Sequence, residues 1–248
     1  MDAQPAAAAP SSAFHQPPLT ALDPPTRLLF LPGASGNTAH WRPVAERLVH
    51  AAERIHLGWP GFGATPVDPR VTGFDALLNL VLARLDQPCA VIAQSMGGVL
   101  ALQAALAAPQ RITHLVLAAT SGGLPMAEHG AADWREPFRL AHPQLPDWFA
   151  TASVDLSQQL PAVAVPTLLL WGDADPLSPV GVAQRLTSLL PAARLVVLPG
   201  GTHDLALERA DEVAALIDRH LRRLVPPGWA QPEWDQSPNL RSSHSVST

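Results

Sequence analysis

Residues 88–109, PCAVIAQSMGGVLALQAALAAP, change character at a single serine. The run before it, CAVIAQ (89–94), is short and apolar, the pattern of a strand buried on both faces. The run after it is longer and dominated by Ala and Leu, the strongest helix formers. Ser95 therefore stands at a strand-to-helix junction, with Ala93 before it and Gly97 and Gly98 after it. Two readings fit. Ser95 is the N-cap of an ordinary turn, or its hydroxyl is presented on a tight elbow. An elbow crowds the strand against the helix, so positions 93 and 97 have to be small.

The same alternation extends outward in both directions. RLLFL (27–31) reads as a buried strand, followed by a Gly-rich loop and a helix through HWRPVAERLVHAA (40–52). RIHLGW (54–59) is a second strand, and a helix over about 73–86 leads into the strand ending at Gln94. Strands follow at 111–120, 166–172 and 193–200, with helices over about 96–108 and 179–190. Val213, Leu216, Ile217, Leu221 and Leu224 form one face of a last helix. Strand then helix, with apolar runs in place of alternation, predicts an α/β fold: a mostly parallel, doubly wound sheet covered on both faces. Residues 121–164 break the rhythm. They hold no strand-like run and carry Trp134, Phe138, Trp148 and Phe149, so they read as a short helical insertion forming a lid. The domain is expected over 27–225, between an Ala/Pro-rich disordered arm (1–26) and a tail (226–248) in which Trp229 and Trp234 would pin the first half to the body.

Composition narrows the function. The chain has 248 residues, 47% hydrophobic and 15% charged, which suits one domain with a large core. It has no tyrosine, which excludes any mechanism needing a phenol. A net charge of −5 gives no footprint for nucleic acid. The lone Cys89 lies in an apolar run and reads as a buried thiol, with no internal disulfide and no cysteine metal site. No run approaches the roughly 18 apolar residues of a membrane span, and MDAQPAAAAP lacks the basic start of a secretion signal. The expectation is a cytoplasmic protein acting on a small molecule, with no membrane and no nucleic-acid partner. No His/Asp/Glu spacing suggests a metal, and GASG lacks the Lys-Ser/Thr of a phosphate loop, so no cofactor is expected.

In a parallel sheet, chemistry gathers beyond the carboxyl ends of the strands. Ser95 follows the strand at 89–94. Asp173 and Asp175 follow 166–172, His203 follows 193–200, and PGASG follows 27–31. All four loops have to meet at one edge. A serine hydroxyl is a weak nucleophile and needs a base within reach. Histidine takes and returns a proton near neutrality, and a carboxylate behind it fixes its tautomer. Backbone N–H groups then have to meet the oxyanion that develops, at roughly 3 to 4 kcal/mol per donor.

At this point the sequence resembles the α/β-hydrolase superfamily, with its G-x-S-x-G elbow and the order Ser95, Asp175, His203. The resemblance covers about 27–224. LPGASGNTAHW is similar to the family's oxyanion loop, GWPGFGATP to its PGFG loop, WGDADPLSP to the acid loop, and LPGGTHDLALE, with Glu208, to the histidine loop. Four positions depart from the pattern. Ala93 replaces the first Gly of the elbow, Pro32 the usual His, Gly58 an Asp, and Thr202 a Gly. The family's opening β-hairpin is hard to find in 1–26.

The resemblance implies Ser95 as nucleophile, His203 as base and then acid, and Asp175 as its orienting group, with Asp173 the second candidate. It implies the N–H groups of Met96 and Ala34 as oxyanion donors, or Ser35 if the loop shifts by one residue. Asp204 suits the start of the last helix. Ser35, Leu124, Trp134, Phe138 and Trp148, near Met96, are expected to bind substrate in an apolar pocket. His40, His50, His56, His114 and His220 read as structural, and His129 and His142 as lid residues able to touch substrate. His15 and His244 lie in the tails. Arg111 and Arg194 fall at the far ends of strands. The expected activity is hydrolysis of small to medium apolar carboxylic esters through an acyl-enzyme. The alternatives are the same triad used for C–C hydrolysis, lyase or acyl-transfer chemistry, or a non-catalytic module that binds a hydrophobic ligand. Ser95 at the elbow disfavours epoxide hydrolases and haloalkane dehalogenases, whose nucleophile would be an Asp there.

Overall fold

The computed structural model describes residues 24–143, 145–146 and 148–222. The tail, most of the arm, and Trp229, Trp234, His15 and His244 lie outside the described residues. Residues 24–26, assigned to the arm by sequence, already join the body: Thr26 donates its N–H and its hydroxyl to the Pro88 carbonyl.

Six strands form one sheet: β1 (Arg27–Leu31), β2 (Glu53–His56), β3 (Cys89–Gln94), β4 (Ile112–Ala118), β5 (Thr167–Gly172) and β6 (Ala193–Leu198). Their order is β2-β1-β3-β4-β5-β6, and every pairing is parallel. Eight helices accompany them among the described residues: α1 (Arg42–Arg47), α2 (Phe74–Leu82), α3 (Met96–Ala107), α4 (Arg135–Ala141), α5 (Trp148–Thr151), α6 (Val180–Leu189), α7 (Leu205–Glu208) and α8 (Ala210–Leu221).

The apolar runs behave as expected for a sheet covered twice. Successive strand residues face opposite sides. Leu29, Leu31, Val91, Leu117 and Trp171 therefore join one core with α2, α3 and α6. Leu28, Phe30, Ile92, Val116 and Leu170 join a second core with α1, α7 and α8. Cys89 is fully buried, and burial pushes its thiol up to about 12, so it is inert packing.

Several boundaries differ from the sequence reading. The helix expected over 40–52 is only α1. Leu48 is already extended, and the Asp218 carboxylate on α8 accepts the N–H groups of Val49 and His50 at 3.0 and 3.2 Å. A buried carboxylate offering two acceptors competes well with one more helical turn. The strand expected over 54–59 is the four-residue edge strand β2. β4 stops at Ala118 because Ala119 turns the chain with φ 47°. Residues 121–164 contain no strand among the described residues; α4 and α5 are their only α-helices. No helix among the described residues is long and apolar enough to cross a membrane.

Candidate active site

Ser95 sits between β3 and α3 with φ 53° and ψ −121°. A non-glycine residue there is strained, and it persists only where its surroundings fix it. They do. The Ser95 N–H donates to the Ala118 carbonyl at 3.0 Å. The Ser95 carbonyl accepts the Thr120 hydroxyl at 2.6 Å and the Gly98 N–H at 3.0 Å. Thr120 is braced in turn. Its carbonyl accepts the Ser178 hydroxyl at 3.2 Å, and the Ser178 carbonyl accepts the Trp171 indole N–H at 2.8 Å. The elbow and the loop after β5 are thus one hydrogen-bonded unit. The Ser95 side chain makes no cap bond, so the residue is not an ordinary N-cap.

The small neighbours have steric causes. A Cβ on Gly97 would lie 2.5 Å from the Pro32 carbonyl oxygen. A Cβ on Gly172, at the end of β5, would lie 1.9 Å from the Gly201 carbonyl oxygen. Glycine at these positions lets the elbow touch the loop after β1, and lets the loops after β5 and β6 touch each other.

Those last two loops bring Asp175 and His203 together. Asp175 Oδ2 meets His203 Nδ1 at 2.8 Å, while its Oδ1 accepts the Leu177 N–H at 2.8 Å. The Asp175 side chain is wholly buried and that of His203 is partly exposed. A buried acceptor at Nδ1 fixes the proton there and leaves Nε2 as the basic nitrogen. Asp173, the second candidate acid, instead accepts the Gly200 N–H at 2.6 Å and so ties the loop ends together. Thr202, where the family pattern has Gly, has a use: its hydroxyl donates to Glu208 at 2.7 Å. Gln94 Nε2 donates to the His203 carbonyl at 3.4 Å.

The loop after β1 is pinned from below. The Trp41 indole donates to the Leu31 carbonyl at 3.0 Å, and the Trp59 indole to the Gly33 carbonyl at 2.9 Å. In a planar trans peptide the next N–H points away from that carbonyl. The Ala34 N–H is thereby turned away from the Trp59 side. Met96 opens α3, where N–H groups have no intrahelical partner.

Ser95, His203, Ala34, Met96 and Ser35 all line one cavity of about 900 Å³. Leu124, Trp134 and Phe138 also line it. Trp148 does not: it stands behind the wall, its ring 6.1 Å from those of Phe62 and Phe74. Phe149 takes its place, because adjacent helix residues project about 100° apart. His129 and His142 are absent from the wall as described, and His142 lies against Phe138 at 4.3 Å.

His40 is a further correction. It lies in a turn before α1 and lines the cavity, although the sequence reading made it structural. Burial pushes its imidazole down to about 4, so it is neutral at ordinary pH. Its Nδ1 is 3.9 Å from Asp204 Oδ1. Asp204, expected at the start of the last helix, instead precedes the separate short α7; its side chain makes no cap bond and lines the cavity. The only available signal for His40 was its place in LPGASGNTAHW. Arg111 and Arg194 lie at the opening ends of β4 and β6, away from these loops.

The comparisons with known proteins agree with this geometry. The family model described as the alpha/beta hydrolase fold matches residues 26–153, and that of the alpha/beta hydrolase family matches 125–216. The chain is similar to the pimeloyl-[acyl-carrier protein] methyl ester esterase of Aliivibrio salmonicida, at 25% identity over 79% of this chain and 92% of that protein. Among solved structures it is similar to a thermophilic esterase from Thermogutta terrifontis, with TM-score 0.64, 21% identity, and coverage of 80% and 90%. It is equally similar to a meta-cleavage product hydrolase from Pseudomonas fluorescens, with TM-score 0.63, 20% identity, and coverage of 79% and 90%. At those identities the structures speak for the fold alone.

Proposed function

The chain belongs to the α/β-hydrolase family, and from that premise we propose that it is a serine hydrolase cleaving carboxylic esters of small to medium apolar acids. The observation that carries this is the 2.8 Å pairing of buried Asp175 with His203, which shares a cavity with a strained Ser95. The esterase relatives support the reading.

His203 Nε2 takes the Ser95 proton as Oγ attacks the ester carbonyl. The oxyanion is met by the N–H groups of Ala34 and Met96. Asp175 holds the imidazolium that forms, with Nδ1–H directed to its carboxylate. His203 then gives the proton to the leaving alcohol, and an acyl-enzyme remains on Ser95. Water activated by His203 releases the acid and restores the hydroxyl. Residues 121–164 act as the lid. Leu124, Trp134, Phe138 and Phe149 supply apolar wall for the acyl chain, and 900 Å³ suits a ligand of modest size.

Treatment with a fluorophosphonate, followed by mass spectrometry, is expected to place one adduct on Ser95. Ser95→Ala is expected to lose the adduct and at least ~10⁴-fold in turnover of short-chain esters. A folded wild-type protein that takes no label, or a Ser95→Ala variant that still turns over esters, would sink the reading.

A further inference from the structure

The cavity wall has two chemically distinct parts. One is aromatic: the rings of Trp134, Phe138 and Phe149 lie 5.5 to 5.8 Å from one another. The other is polar and adjoins His203. His40 Nδ1 is 3.9 Å from Asp204 Oδ1, and Asp204 follows His203 directly in the chain. The ester reaction, on which this inference rests, assigns the polar part a role. His203 has to protonate the departing alcohol oxygen, so whatever flanks His203 flanks the leaving group.

His40 is buried, with only 7% of its side chain exposed, and its Nε2 has no hydrogen-bond partner among the described residues. That nitrogen is enclosed, so the part of His40 turned toward Asp204 is the Nδ1 side of the ring. The 3.9 Å gap to Asp204 is too long for a hydrogen bond, so the two side chains do not satisfy each other. Asp204, 61% exposed, accepts only, while a neutral imidazole offers one donor and one acceptor. Burial holds His40 in that neutral form above about pH 4. The corner therefore carries a net negative charge.

We propose that His40 and Asp204 form a leaving-group subsite. It selects alcohols that carry a hydroxyl or amide N–H near the ester oxygen and disfavours alcohols that carry an anion. A donor on the alcohol reaches the Asp204 carboxylate while the Nδ1 side of His40 flanks the same arm, and a carboxylate there is repelled.

The test compares kcat/KM for 2,3-dihydroxypropyl butyrate and propyl butyrate, which share an acyl group and chain length. The wild type is expected to prefer the dihydroxy ester by about tenfold. Asp204→Ala, an exposed position with no cap bond to lose, is expected to cut that preference about three- to tenfold, the value of one or two hydrogen bonds. His40→Phe is expected to do the same if it folds, and Asp204→Ala decides the matter if it does not. Carboxymethyl butyrate is expected to be the poorest of the three esters and to improve relative to propyl butyrate in Asp204→Ala. A wild-type preference near one, or an equal loss for both neutral esters in Asp204→Ala, would overturn the subsite. Absence of turnover with every ester would overturn the ester-hydrolase reading itself, and the subsite with it.

Discussion

The floor and the lid of the cavity are built in different ways. The floor comes from loops at the ends of β1, β3, β5 and β6, and nearly every group in it is held by something buried. Trp41 and Trp59 hold carbonyls of the first loop. Thr120, Ser178 and Trp171 hold the elbow. Among the described residues the lid has two short α-helices with exposed charged residues and a cluster of rings, and Leu140 is 68% exposed. It carries local side-chain hydrogen bonds, such as those of Arg139 to Glu136 and Ser157 to Asp155. Reacting atoms have to be fixed within tenths of an ångström, whereas an acyl chain needs only apolar wall of about the right size. On the proposed function, the floor sets reaction type and the leaving-group side, and residues 121–164 set the choice of acyl chain.

Changing a floor residue that serves the reacting atoms should damage the rate while leaving the choice of acyl chain alone. Asp175→Asn is the strongest case. It keeps the volume but presents the wrong group to His203 Nδ1, and kcat is expected to fall ~10³- to 10⁴-fold with KM changed little. Stopped-flow or steady-state kinetics on one short ester would check it; a loss below tenfold would mean that the pair is not working as proposed.

The second effect concerns acid. Burial lowers His220 to about 3 and His40 to about 4, against 6.5 in an unfolded chain. As pH falls below about 6.5 the unfolded chain takes up protons that the folded one refuses, so stability is lost progressively down to about pH 3. His220 packs against His114 at 5.1 Å, with Arg194 nearby, and its Nε2–H donates to the Leu115 carbonyl. His220→Gln keeps a donor and removes the titration. Urea titrations between pH 7 and 4 are expected to give a flatter loss for this variant, and parallel slopes would contradict it.

Gly97→Ala comes next. Its Cβ would meet the Pro32 carbonyl oxygen at 2.5 Å, so the elbow and the loop after β1 have to separate. A loss of ~1–3 kcal/mol in stability is expected, together with a lower kcat, because Ala34 moves with Pro32. Thermal melts and kinetics on the same sample would show both losses or refute the contact.

The smallest effect tests the other side of the comparison. Trp134→Ala removes a ring from the lid wall and is expected to shift chain-length preference toward longer acyl groups. The change should be roughly tenfold or less, with the fluorophosphonate reaction at Ser95 retained. A lid substitution that abolished labelling would erase the distinction between floor and lid.

Much of the floor was legible in the sequence. Short continuous apolar runs with helical stretches between them define a parallel sheet, and such a sheet gathers whatever follows its strands. Ser95, His203, the Asp173 and Asp175 pair and the loop PGASG were identifiable for that reason, as was the need for small residues around Ser95; the choice of Asp175 and of Ala34 came from the family resemblance. The lid was legible only as an interruption. Its wall depends on which side of a short helix faces inward, a matter of 100° per residue, and so Phe149 lines the cavity where Trp148 was expected. His40 was hidden for a related reason. Nothing in a sequence shows that a turn residue beside a tryptophan will be pressed against Asp204, 164 positions away. Hydrophobic periodicity is local and survives in one dimension. The partner of a buried imidazole, the direction of a peptide carbonyl and the inner face of a lid are set by chain paths that only packing decides.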